Sequence, residues 1–182
     1  MARVIVISSF VTRGHVGLRA LVPALERLGH EVMAIPTVVL SSHAAFPQVA
    51  GSALATGVLD GIADALDANG WLSTTHAIVT GYLPTAAHVK FAGTLADRVR
   101  QSTPMAKLVC DPVLGDEPKG LYVAPETAAA IRSELIPRAS LATPNRFELE
   151  WLTGHPISSV PDAVAAARVL PCEAVLATST PH

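Results

Sequence analysis

The stretch Arg3–Ser8 reads RVIVIS, a nearly unbroken run of β-branched residues. A continuous apolar run is typical of a strand that is covered on both faces, as in a parallel sheet. The turn residues Thr12–Gly17 (TRGHVG) follow, and they lead into a segment whose leucines recur at helical spacing. This part of the chain therefore predicts a strand followed by a helix, packed together.

The same alternation of strand and helix continues to the end of the chain. Five further strands are predicted, at Glu31–Ile35, Ala77–Thr80, Lys107–Cys110, Ser140–Thr143 and Ala174–Thr178. Helical periods separate most of them, which predicts an α/β fold with a mainly parallel central sheet and helices on both faces. The exception is Thr37–Gly51, which shows no clear period and predicts a long loop, with short strand pieces at most. Loops of this length in compact domains are often functional lids.

Length and composition exclude several classes of protein. The chain has 182 residues, a net charge of −2 and only 15% charged residues, so we expect one domain over 1–182. It has no basic stripe of the kind that nucleic-acid binders carry. No apolar run approaches the ~18 residues of a membrane span, and the N-terminal apolar stretch is too short for a signal peptide. These features predict a cytoplasmic protein without nucleic-acid or membrane partners.

Two aspartates follow the strand predicted at Lys107–Cys110. Asp111 comes directly after the strand, and Asp116 comes five residues later, beyond a proline and a glycine. Ligands of open α/β sheets sit at the carboxyl ends of the strands. Two carboxylates there suit a hydrated Mg²⁺ that is also bound by substrate phosphates. For Asp116, the alternative is that it only shapes the turn.

Other polar residues at strand ends allow two interpretations each. Asn145 and Glu148 have the spacing of a capping box, but they are also placed to hold a metal-bound phosphate. Tyr82 can stack on a flat ring or fill the core. Thr178 and Ser179 can reach a phosphate or fray with the chain end. From the residues alone, phosphoryl transfer or phosphate binding is the predicted role.

Taken together and in order, several motifs resemble those of the pyridoxal kinases, which are members of the ribokinase-like superfamily. They are RGHVG (13–17), TVVLSSH (37–43), TGY (80–82), CDPVLGD (110–116), LYV (121–123), TPNRFELEWLTG (143–154) and the final TST (178–180). CDPVLGD and TPNxxE are shared with hydroxymethylpyrimidine kinases. The RGHVG turn, the SSH loop and TGY point to the pyridoxal branch.

The resemblance implies a role for each matching position. It implies contacts with a B6 vitamer such as pyridoxal for Ser9, Val16, His43, Ala44 and Tyr82, beneath a flap formed by 37–51. It implies contacts with ATP for Asp111, Asp116, Tyr122, Thr143, Asn145, Glu148, Thr178 and Ser179. Asp111 and Glu148 would hold Mg²⁺, directly or through water, and a homodimer is the usual assembly in this family.

The sequence departs from the family pattern in three places. Ala44-Ala45 stand where a substrate-contacting threonine usually follows SSH, and Leu18 replaces an asparagine. No GTGD occurs in residues 1–182, although this motif supplies the γ-phosphate anion hole and the proton-accepting aspartate in the family. We therefore assign no catalytic residue and expect a C-terminally truncated ribokinase-like domain. The alternatives to a pyridoxal kinase are an inactive remnant that binds vitamer or partner, and a hydroxymethylpyrimidine kinase.

Overall fold

The computed structural model describes residues 1–181 and centres on a six-stranded sheet. The strands are β1 (Arg3–Arg13), β2 (Glu31–Ser42), β3 (Gly51–Ala53), β4 (Ala77–Thr80), β5 (Lys107–Cys110), β6 (Gly115–Asp116), β7 (Gly120–Leu121) and β8 (Leu141–Ala142). The helices are α1 (Leu18–Arg27), α2 (Thr56–Ala68), α3 (Ala86–Ser102), α4 (Pro125–Ala130), α5 (Arg146–Thr153) and α6 (Val160–Val169). No helix in this described part of the chain has both the length and the hydropathy to cross a membrane.

The central sheet is mainly parallel, as predicted. Its strand order is β3-β2-β1-β4-β5-β8, and every neighbouring pair is parallel except β2 with β3. The two-residue strands β6 and β7 form a separate hairpin. The sheet therefore has the doubly covered α/β architecture that the alternation of strands and helices indicated.

The prediction of a regular last strand at Ala174–Thr178 is wrong. This segment forms only isolated parallel bridges, between Ala142 and Val175 and between Asn145 and Thr178. Its one neighbour in the described chain, β8, is two residues long and offers few backbone partners. The sixth strand of the sheet is instead β3, at the opposite edge.

The prediction of a long loop over Thr37–Gly51 is also wrong in extent. The strand β2 continues to Ser42 and β3 begins at Gly51, so that only residues 43–50 form the loop. The strand β1 likewise runs past its predicted end to Arg13, with a register shift between Ser8 and Phe10. The two extensions pair with each other, and this long-range pairing outweighs the weak local pattern.

Helices pack on both faces of the sheet, and β1 belongs to both cores. Val4 and Val6 pack with Leu18 in a small cluster under α1. Ile5 and Ile7 point the other way, into the larger core to which α2 through α6 contribute. Successive strand residues face opposite sides of a sheet, which explains why β1 needs an unbroken apolar run.

Candidate active site at the carboxyl edge of the sheet

Three parallel strands, β4, β5 and β8, end at the same level of the sheet, beside Ile7 of the longer strand β1. Ile7 of β1 pairs with Thr80 of β4, Thr80 pairs with Cys110 of β5, and Cys110 pairs with Ala142 of β8. The residues that follow these positions therefore lie along one edge of the sheet, where ligands of this fold class bind.

Tyr82 lies at the β1–β4 end of this edge and is held by its backbone. Its amide donates to Ser8 Oγ at 3.2 Å, and its carbonyl oxygen accepts from Thr37 Oγ1 at 2.7 Å. Burial raises the pKa of the Tyr82 hydroxyl. Gly81 is required beside it, since a Cβ on Gly81 would lie 2.5 Å from Ser8 Oγ. The ring predicted to contact the vitamer thus projects from a fixed backbone.

Ser9 and Val16 flank the glycine turn that leads into α1. Ser9 lies at the register shift of β1, and Gly17 adopts a φ of 55° just before α1 begins. A Cβ on Gly17 would overlap both the carbonyl and the hydroxyl oxygen of Ser9. The backbone of Gly17 therefore lies directly against Ser9, and the turn that carries Val16 is held at this point.

His43 and Ala44 lie apart from this cluster, on the exposed loop 43–50. His43 Nδ1 accepts from the amide of Ala45 at 3.2 Å, and no hydrogen bond within residues 1–181 joins His43 or Ala44 to Ser9 or Tyr82. A cavity of about 480 Å³ opens beside this loop, lined by Arg13, Ser41, Ser42, Phe46, Pro47 and Gln48. For His43 and Ala44 to contact the vitamer as predicted, the loop 43–50 has to carry them to it, because they do not lie on the sheet.

Asp111 lies at the other end of the edge, directly after β5. Thr143, which follows β8, donates from Oγ1 to Asp111 Oδ1 at 3.2 Å. Burial raises the pKa of Asp111, and the hydrogen bond from Thr143 opposes this shift. The structure therefore joins two of the predicted ATP contacts in one partly buried pair.

Asn145 and Glu148 form the capping box at the start of α5. Asn145 Oδ1 accepts from the Glu148 amide at 2.9 Å, and Glu148 Oε2 accepts from the Asn145 amide at 2.8 Å. Both residues also reach the loop after β5, because Asn145 Nδ2 donates to the Gly115 carbonyl and Glu148 Oε1 accepts from the Leu114 amide. The capping interpretation is confirmed, and the same contacts fix the loop that carries Asp116.

The electrostatics of Glu148 follow from this burial. Desolvation raises its pKa to about 7 against the lowering effect of the Asn145 and Leu114 amides, and the neighbouring Asp111 carboxylate raises it further. The side chain is only 4% exposed. Glu148 is therefore ready to gain or lose a proton near neutral pH, according to the charge placed beside it.

Asp116 and Tyr122 belong to the β6–β7 hairpin and its exit. Asp116 Oδ1 is buried and has no hydrogen-bond partner among residues 1–181. The amide of Tyr122 donates to the Leu114 carbonyl at 2.7 Å, while its ring is exposed and lies 6.0 Å from Lys119 Nζ. A buried carboxylate oxygen without a partner is costly unless something binds it, but the role of Asp116 in ligand binding stays a prediction.

Thr178 and Ser179 lie beside the N-terminus of α5. The amide of Thr178 donates to the Pro144 carbonyl at 2.9 Å, and Thr178 bridges to Asn145. Ser179 has a φ of 54°, in the left-handed region. The backbone is therefore tied to the site at this point, while both side chains are exposed.

Comparison with known proteins assigns this site to a family. The model of the family described as phosphomethylpyrimidine kinase matches residues 34–180. The chain belongs to the phosphomethylpyrimidine kinase family.

The relatives with the same organisation are named pyridoxal kinases. The pyridoxal kinase PdxY of Deinococcus radiodurans is 39% identical over 164 residues, covering 90% of this chain and 55% of that protein. The pyridoxal kinase structure from Entamoeba histolytica superposes with a TM-score of 0.93 at 30% identity, over all of this chain and 65% of that one. The predicted resemblance to pyridoxal kinases and the ribokinase-like fold are confirmed.

A structure with bound molecules is also similar. The pyridoxal kinase of Leishmania donovani in complex with ADP and pyridoxamine superposes with a TM-score of 0.87 at 33% identity, over 91% of this chain and 59% of that one. The chain thus spans little more than half the length of the curated relatives it matches.

Of the carboxylates in the site, those of Asp111 and Asp116 fit direct binding of Mg²⁺, and that of Glu148 does not. Asp111 carries a single side-chain hydrogen bond, and Asp116 has its unpartnered oxygen. Both oxygens of Glu148 already accept backbone amides. No group of three metal-binding side chains occurs in residues 1–181, but Mg²⁺ commonly takes one or two carboxylates and completes its shell with phosphates and water.

Sequence reasoning missed some of the residues that shape this family site. Ser8 was assigned no role, although its hydroxyl oxygen accepts the Tyr82 amide. Leu114 and Gly115 contribute backbone groups, which leave no side-chain signal. The signal for Ser8 is its position: its hydroxyl directly follows the apolar run Val4–Ile7 in β1, and the residue is 2% exposed.

Proposed function

We propose that this chain provides the vitamer pocket and the metal-facing carboxylates of a pyridoxal kinase. The reaction is the transfer of the γ-phosphoryl group of ATP to the 5′-hydroxyl of pyridoxal or a related B6 vitamer. One observation carries the proposal: the Tyr82 cluster and the Asp111–Glu148 cluster lie on neighbouring strand ends of a single sheet edge. A ring and a phosphate chain can be bound there side by side.

Each cluster has a separate task in this proposal. Ser9 binds the pyridine ring by a hydrogen bond, and Tyr82 packs on the face of the ring. Thr143 and Asn145 orient phosphate oxygens near the N-terminus of α5, where the helix dipole favours negative charge. Asp111 would hold Mg²⁺, with Glu148 acting through water because its oxygens already accept amide hydrogens. The metal would neutralise charge on the phosphates.

The proposal gives binding, but not the proton transfer, to residues 1–182. Asp111 and Asp116 both face the metal side of the site, so neither is assigned the 5′-hydroxyl proton. We therefore propose that the phosphoryl transfer itself requires a carboxylate outside these residues. Without such a carboxylate, residues 1–182 would bind the vitamer without turnover, which is the behaviour expected of the inactive remnant.

The test is calorimetry of residues 1–182 with pyridoxal and, separately, with Mg-ATP. We expect saturable binding of pyridoxal that Tyr82→Ala weakens about tenfold or more, from the loss of ring packing. The matched control is Tyr122→Ala, which removes an exposed ring and leaves pyridoxal affinity unchanged. Wild-type protein that binds no B6 vitamer would contradict the proposal.

The second candidate is a hydroxymethylpyrimidine kinase, supported by the description of the family model that matches 34–180. Both substrates are flat hydroxymethylated rings, so the sheet edge can accept either one. Competition between pyridoxal and hydroxymethylpyrimidine for the same site separates the two candidates. Tighter binding of the pyrimidine would favour the second.

Two further predictions belong to this proposal. A homodimer is expected from the resemblance, and sedimentation velocity of the purified chain measures it. A cytoplasmic location is expected from the sequence, and fractionation of cells that express the protein tests it.

A further inference from the structure

A continuous chain of hydrogen bonds, with the buried side chains of Thr37 and His88 in it, leads away from the Tyr82 backbone. It begins at Thr37, a fully buried residue of β2 whose hydroxyl donates to the Tyr82 carbonyl at 2.7 Å. A threonine in a buried strand is unusual unless its hydroxyl has a partner, because an unpaired buried hydroxyl is costly. Here the partner is the backbone of the residue predicted to contact the vitamer.

The chain continues from Thr37 to Leu54, the residue that follows β3. The Leu54 amide donates to the Thr37 carbonyl at 2.9 Å. The Leu54 carbonyl is taken by His88 Nε2 at 2.9 Å. Both backbone polar groups of Leu54 are thus held, so the point where the β2–β3 flap rejoins the body of the protein is fixed.

His88 completes the chain from the first turns of α3. It is 4% exposed, and its Nδ1 lies 2.8 Å from Oγ1 of Thr85, the N-cap of α3. A carbonyl oxygen can only accept, so Nε2 donates to the Leu54 carbonyl. Nδ1 forms a second hydrogen bond, with the Thr85 hydroxyl. The helix after Tyr82 is thereby connected to the end of the flap.

We propose that Thr37 and His88 are positioning residues that couple the flap, residues 37–51, and the residues just after it to the backbone of Tyr82. Neither is a catalytic residue, and both act through the groups they hold. The role rests on the proposed vitamer pocket, which it deepens. Movement of the flap is then transmitted to the aromatic wall of the pocket, and not to the carboxylates of Asp111 and Glu148.

The first experiment substitutes Thr37 and measures two affinities. Thr37→Val keeps the shape of the side chain but leaves the Tyr82 carbonyl without its donor. We expect pyridoxal affinity to fall about fivefold to tenfold, the effect of one lost buried hydrogen bond. Mg-ATP affinity should not change, and Thr37→Ser, which keeps the hydroxyl, should restore pyridoxal binding.

Thr75 provides a matched control in the same fold. It is fully buried, and its hydroxyl donates to the Trp71 carbonyl at 2.9 Å, at the opposite end of β4 from Tyr82. Thr75→Val should lower the melting temperature to a similar degree and leave both affinities unchanged. Equal losses of pyridoxal affinity in the two variants would show a general structural effect and overturn the assignment.

The second experiment is amide hydrogen exchange on the free protein, which requires no ligand. Thr37→Val and His88→Phe should each speed amide exchange in both 51–55 and 80–84, although these two segments lie on different elements. Faster exchange confined to 80–84 in Thr37→Val, or confined to 51–55 in His88→Phe, would overturn the coupling. If wild-type protein bound no vitamer, the proposed function would fail, and the exchange data would still decide whether the flap and Tyr82 are coupled.

Discussion

Glu148 shows how one residue serves both the fold and the site. Its two oxygens close the capping box and hold the loop after β5, and these contacts bury the carboxyl group. Desolvation raises its pKa to about 7. A cation bound near Asp111 would stabilise the ionised form of Glu148, whereas burial in the free protein stabilises the protonated form.

The raised pKa of Glu148 predicts a pH dependence of stability. Between the ordinary value of 4.5 and about 7, the folded state keeps a proton that the unfolded state has released. The free energy of unfolding should therefore fall as pH rises through this range. Urea unfolding of the metal-free protein between pH 4.5 and 7.5 measures it.

The matched variants are Glu148→Gln and Glu26→Gln. The first removes the titrating group and should flatten the dependence on pH, whatever it does to absolute stability. The second removes an exposed carboxylate at the end of α1 and should leave the slope unchanged. A slope that persists in Glu148→Gln would contradict this assignment.

Gly81 gives a second prediction for a single residue. In Gly81→Ala the new Cβ would lie 2.5 Å from Ser8 Oγ, which would push Ser8 away from the Tyr82 amide. We expect a loss of about 1–3 kcal/mol in unfolding free energy, typical of overpacking, together with weaker pyridoxal binding.

The control for Gly81→Ala is a glycine with open space around it. Gly61 lies on the exposed side of α2, and its Cβ would meet no atom within 4 Å. Gly61→Ala should stabilise the protein by about 0.5–1 kcal/mol, because alanine is the better helix former. Thermal unfolding compares the two variants, and equal stability in both would refute the steric argument.

At the scale of elements, α5 and α6 begin in similar ways but differ in what their caps touch. Asn145 caps α5 and also donates to the Gly115 carbonyl at 2.9 Å. Ser159 caps α6 by accepting from the Asp162 amide at 3.3 Å. Its other polar contact is with the Asp162 side chain of the same helix.

This difference predicts distinct effects of removing each cap. Asn145→Ala and Ser159→Ala should each cost about 1 kcal/mol of stability, the usual value of an N-cap. Only Asn145→Ala should weaken Mg-ATP binding as well, because it also frees the loop that carries Asp116. Equal nucleotide affinity in the two variants, measured by calorimetry, would count against a role for α5 in the site.

At the scale of the whole molecule, β1 connects two cores. Ile5 and Ile7 lie in the larger core, and Val4 and Val6 lie in the smaller one. Damage to this strand therefore disturbs both faces of the sheet. We expect the protein to unfold as one cooperative unit, because the two cores share the strand β1.

Ile7→Ala tests this cooperativity. The residue is fully buried, and the cavity should cost about 2–5 kcal/mol. Trp71 lies in the connection between α2 and β4, and Trp151 lies in α5, so Trp71→Phe and Trp151→Phe backgrounds give two separate fluorescence probes. Both probes should show one midpoint, shifted equally by Ile7→Ala. Separate midpoints would mean that the two regions unfold independently.

Much of this architecture was predictable from the chain, since apolar runs and helical periods are local signals. The strands at Lys107–Cys110 and Ala77–Thr80 were predicted with their observed bounds. The extension of β1 and β2 was not, because Phe10 and Val39 become strand residues only by pairing with each other. The segment at Ala174–Thr178 has a strand composition but too few neighbouring partners among the described residues.

The sequence by itself determined the fold class, the family resemblance and the identity of most polar residues at the sheet edge, because each depends on residue types at short spacings. Only the tertiary structure decided which of those residues meet. It joined Thr143 to Asp111, placed Ser8 as the support of Tyr82, and connected Thr37 and His88 through Leu54. These contacts span tens of residues, and all but the first involve backbone groups, which every residue carries and no sequence pattern marks.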